Sequence, residues 1–156
     1  MASGRVYNAS FSAVSVSAQQ DLIAILVAAG KPIEVLEFGI SQLTRVGDAN
    51  EVELALTLKS GATVAGSGGG TTTPVPRNLS DTAAGVTARI NDTTPAGTGT
   101  IVTDETWYWN VRLPFQRVFT PDTTKIIGAN RVVFGLLTTP PAAITMSGYM
   151  IFKEFG

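Results

Sequence analysis

Polar and apolar residues alternate with period two along most of this chain, which predicts half-buried β-strands. In Glu51 to Lys59, Val52, Leu54, Leu56 and Leu58 fall on one face and Glu51, Glu53, Thr57 and Lys59 on the other. Near the start, Tyr7, Ala9, Phe11 and Ala13 oppose Asn8, Ser10 and Ser12, and the phase then shifts through Val14 and Val16 as it would across a bulge. Residues 33 to 43 predict a strand broken near Gly39, followed by a turn over Val46 to Asn50. Further strands are predicted over 85 to 91, 100 to 112, Phe115 to Phe119, Arg131 to Leu137 and Ile144 to Phe155. Eight or nine antiparallel strands with few helices imply an all-β sandwich or barrel, in a single domain over 1–156.

One segment follows different rules. Ser17 to Gln20 has the form of a capping box, Leu22, Ile23, Leu26 and Val27 have helical spacing, and Gly30 with Pro32 would end a helix. Local rules therefore favour a helix over residues 18–29, although the same apolar run fits a buried strand.

Residues 61–82 predict a flexible loop. Its centre, Gly66, Ser67, Gly68, Gly69, Gly70, Thr71, Thr72, Thr73, Pro74, Val75 and Pro76, couples glycines without a fixed conformation to an extended Pro-spaced stretch. Connections this long are commonly functional or unstructured, so these residues are the candidate partner-contact arm. A phosphate loop does not fit them, because the lysine and the following helix are missing.

Composition narrows the chemistry. The 156 residues include no histidine and no cysteine, which removes the commonest general bases, activated nucleophiles and zinc ligands. No acid, base and nucleophile arrangement remains, so a non-enzymatic protein without catalytic residues, cofactor or metal is expected. A calcium reading of Asp48, Ala49, Asn50 and Glu51 is weak, because few oxygens converge there.

Charged residues make up 15% of the chain, against a usual ~25%, and eleven cations nearly balance twelve anions. A surface with so little charge favours association, so the chain is expected to assemble with itself. No basic run suggests nucleic acid, and no apolar stretch is long enough for a transmembrane helix. The opening residues lack the apolar core of a secretory signal, so synthesis in the cytoplasm is expected.

Trp107, Tyr108 and Trp109 are the alternative ligand platform. Two indoles alternating on a strand share a face and could stack on sugar rings, but Val111 continues that face and favours a place in the core. Arg112, Arg117 and Arg131 fit either an interface or the charged edge of a sheet.

Several segments together resemble a group of small proteins from tailed-phage and prophage structural regions. They are Gly4 to Tyr7 with Phe11 and Val14, Gln20 to Leu22, Gly30 to Ile33, Ser41-Gln42, Gly47 to Ala49, the glycine loop with Thr73 to Pro76, Ile144 to Gly148, and Glu154 to Gly156. The resemblance implies a jelly-roll-like β-sandwich and a role as a capsid decoration, or cement, protein on the outer head surface. Its implied partners are the major capsid protein and further copies of itself, as a homotrimer or dimer. It also implies a strand over Gln19 to Val27. The alternative function is a carbohydrate- or receptor-binding module of a tail or fibre.

Overall fold

A computed structural model of the chain describes residues 4–43 and 53–156. The predicted turn over Val46 to Asn50 and the acidic cluster from Asp48 to Glu51 lie outside these residues. All regular structure among the described residues is β, in twelve strands. These are β1 (Arg5–Val16), β2 (Gln20–Leu26), β3 (Ile33–Gln42), β4 (Glu53–Ala62), β5 (Gly70–Thr72), β6 (Val75–Pro76), β7 (Thr87–Asp92), β8 (Gly99–Asn110), β9 (Phe115–Val118), β10 (Ile126–Ile127), β11 (Val132–Leu137) and β12 (Ile144–Glu154).

The strands form two antiparallel sheets of six. The first has the order β10-β3-β12-β1-β6, with β9 also paired to β3, and the second has the order β5-β7-β2-β11-β4-β8. The expected count of eight or nine falls short of twelve because β5, β6 and β10 are only two or three residues long. Such short runs carry no readable alternation.

Inward-facing residues of both sheets meet in one apolar core. Tyr7, Phe38, Met146 and Phe152 come from the first sheet, and Leu22, Ile25, Leu56 and Leu137 from the second, all fully buried. β12 alternates strictly between buried and half-buried positions along its whole length, as its sequence predicts. The expected bulge in β1 lies between Phe11 and Val14, where Ala13 takes a positive φ of 54°.

The helix favoured by local rules for residues 18–29 is replaced by β2. This strand runs between β7 and β11, and all but one of its seven residues are buried. Ladder hydrogen bonds on both edges and apolar cover on both faces outweigh helical spacing there.

The outer face of the second sheet carries a smaller core of its own. Val132, Phe134 and Leu136 of β11 point away from the main core and pack with Ala24, Ala62 and Ala96. Beside this cluster Asp21, 1% exposed, accepts a hydrogen bond from the Ala96 amide at 2.8 Å.

Candidate functional site

The glycine, threonine and proline segment is a strap across the two sheets. Ser67 bridges to Thr94, β5 pairs with β7 in the second sheet, and β6 pairs with β1 in the first. The Thr72 hydroxyl also donates to the Ser10 carbonyl at 2.9 Å. The span 61–82, expected as one flexible loop, thus contains the end of β4 and all of β5 and β6. Residues of this arm are engaged within the chain, and Gly70, Thr71 and Val75 keep exposed surface.

The aromatic trio is divided between environments. Trp109 is 5% exposed and its indole N–H donates to the Leu113 carbonyl at 2.6 Å. Trp107 is half-buried against Phe115, with ring centroids 5.2 Å apart. Tyr108 points to the opposite face and is 81% exposed. Trp107, Tyr108 and Trp109 therefore form no shared stacking platform.

Among the described residues, β8 lies at the outer edge of the second sheet, paired on one side with β4. On neighbouring β4, the Ala55 carbonyl accepts from the Thr138 amide and the Ala55 amide donates to the Thr138 hydroxyl, so both backbone groups of Ala55 face away from β8. Tyr108, directly opposite Ala55, must then turn its own N–H and C=O to the free edge, as must Thr106 two residues earlier. Ion pairs from Glu105 to Arg117 and from Asp104 to Lys125 tie β8 to the neighbourhood of β9 and β10.

A shallow cavity of about 420 Å³ lies on the outer face of the first sheet. Its floor is a row of directly opposed residues across four strands: Ser10, Tyr149, Gly39 and Gln116. Asn8, Ser41 and Ser147 extend this polar floor, and Pro114 and Phe115 line its β9 side. The Tyr149 ring lies over Gly39, where a Cβ would come within 2.5 Å of it. The Tyr149 hydroxyl donates to Glu37, and the Gln116 amide donates to both Glu37, at 2.6 Å, and the Tyr149 oxygen, at 3.2 Å. Burial raises the Tyr149 phenol above its ordinary range, and bonding to the Glu37 carboxylate adds to this, so the ring remains neutral. Asn8 Oδ1 is buried without a hydrogen-bond partner.

Period-two reading places Asn8 and Ser10 on an outward face, but it does not bring Tyr149, Gly39 and Gln116 beside them. Strand order does that, and a single sequence carries no direct signal for it. Among the described residues, no three acidic, histidine or cysteine side chains gather as a metal-ligand set.

No known family and no curated protein matches the chain. Among solved structures it is similar to a chain of the T13 IBDV viral particle, at 11% identity and a TM-score of 0.17. That alignment covers 96% of this chain and 39% of the viral one.

Proposed function

We propose that this chain is a non-enzymatic structural protein of a tailed-phage virion, folded as a jelly-roll β-sandwich that decorates the outer surface of the head. There it stabilises contacts of the major capsid protein as a homotrimer or dimer. The observation that carries this reading is the strand order. Taking β9 and β10 as successive pieces of one edge strand, the orders β1-β12-β3-β9/β10 and β2-β11-β4-β8 are those expected of the two four-stranded sheets of a jelly roll, which supports this reading. β5, β6 and β7 are then an insertion between the fourth and fifth strands. Jelly rolls serve as capsid and lectin domains, and the low charge of this chain favours assembly over solitary life in solution. The free edge of β8 is the surface assigned to contact with another copy, because unpaired strand edges template further pairing.

Electron cryo-microscopy of the source virions tests this reading. It requires density for this chain outside the shell, repeated at symmetry axes between capsid subunits. Density confined to the tail would replace it with the tail or fibre module.

A further inference from the structure

We propose that the cavity over Tyr149 is a binding site for a neutral sugar unit, a function separate from decoration and independent of where the chain sits. Three observations converge on that ligand class. First, Asn8, Ser10, Ser41, Ser147, Gln116 and Tyr149 supply hydroxyl and amide groups, and none of the residues lining the cavity is charged. A phosphate or carboxylate ligand would find no counter-charge on these walls, whereas a polyhydroxylated neutral ring would find both donors and acceptors.

Second, the aromatic ring is held in place. Gly39 leaves the space that Tyr149 occupies, and Glu37 and Gln116 anchor its hydroxyl, so the ring face opposite Gly39 is a fixed surface for the C–H face of a pyranose. A ring held in place beforehand loses little freedom on binding. Third, Asn8 lines the cavity while its Oδ1 is buried without a partner, so a small turn of this amide on binding would let a donor relieve a costly unmet acceptor. A sugar hydroxyl is such a donor. The volume of about 420 Å³ accommodates one or two hexose units and lies within the ordinary range for small-ligand sites.

The test is an amide NMR titration of the full chain with methyl α-glucoside, methyl α-mannoside and N-acetylglucosamine, using glucuronate as the charged control. Saturable shifts at Gly39, Gln116, Ser147 and Gly148 with at least one neutral sugar, and none with glucuronate, are expected. Tyr149→Ala should weaken binding at least about tenfold. Tyr149→Phe should retain most of it, because the ring face survives. Gly39→Ala, which lifts the ring, should behave like Tyr149→Ala and decides the matter if that variant fails to fold. The proposal is overturned if no neutral sugar moves these amides at tens of millimolar. It is equally overturned if shifts centre on Tyr108, if glucuronate binds as well, or if neither Tyr149→Ala nor Gly39→Ala weakens binding.

Discussion

Gly135 of β11 lies against the ring of Phe38 of β3 across the core, so close that a Cβ on Gly135 would come within 2.8 Å of Phe38 Cζ. The two residues belong to different sheets, and their contact fixes how near those sheets approach. Phe38 is fully buried, so its ring has no free space into which to swing. Gly135→Ala should therefore destabilise the fold by ~1 to 3 kcal/mol through overpacking. Urea unfolding measures this, and Phe38→Leu in the same chain should restore part of the loss. Equal stability of Gly135→Ala and the parent would mean that the sheets can separate slightly at no cost.

The strap makes a second prediction. A Cβ on Gly69 would collide with the Ile90 carbonyl oxygen, backbone of the strand to which the strap is paired. Gly69→Ala should detach β5 from β7, raising amide exchange at whichever of Thr71 and Thr72 donates to β7 while leaving β12 protected. Unchanged exchange at both threonines would contradict the strap's dependence on this close approach.

The same glycines explain what the sequence conveys and what it conceals. Alternation locates β1, β4, β8 and β12 because each is long and has contrasting faces. It misses β5 and β6, since a glycine run reads as freedom when its use here is proximity to a neighbouring backbone. The segment Gln20–Leu26 misleads for a different reason, because burial on both faces erases the alternation that would mark it as a strand. The sugar-binding cavity is built from outward-facing residues on four strands, brought together by a pairing order that no local pattern specifies.

The two tryptophans should separate in fluorescence quenching. Trp109, nearly inaccessible and hydrogen-bonded to Leu113, should resist acrylamide, while half-buried Trp107 should be quenched. Trp107→Phe should leave the shielded emission and Trp109→Phe the accessible one. Trp109→Ala should cost ~3 to 5 kcal/mol, the usual loss for a large aromatic removed from a core. A cost below ~1 kcal/mol would place the indole outside the load of the core.

Thr106 offers a direct probe of assembly. Its amide faces the free edge of β8, so proline there removes no hydrogen bond to β4 and edge strands accommodate it. Thr106→Pro should leave the far-ultraviolet circular dichroism unchanged and shift the oligomer toward monomer in light scattering. An oligomer that persists in this variant would place self-contact on a surface other than the edge of β8.

Asp21 predicts how stability varies with pH. Its carboxyl sits directly opposite Asp92 on the neighbouring strand, and its Oδ1 is buried without a hydrogen-bond partner. Burial raises its pKa from 3.8 to about 7; Asp92 adds to the rise, while the Ala96 amide and Lys59 oppose it. Asp92 is itself held by Arg89 and the Gly69 amide, so it does not relieve Asp21. Between pH 4 and 7 the folded chain holds a proton here that the unfolded chain has released, so this group lowers stability as pH rises through that window. The shift corresponds to on the order of 4 kcal/mol across the window. Asp21→Asn keeps an acceptor for the Ala96 amide without the charge, so it should be nearly equal to the parent in stability at pH 4 and more stable than it at pH 8 by on the order of 4 kcal/mol. Urea midpoints at the two pH values decide this, and parallel pH dependence in parent and variant would show that Asp21 stays ionised in the fold.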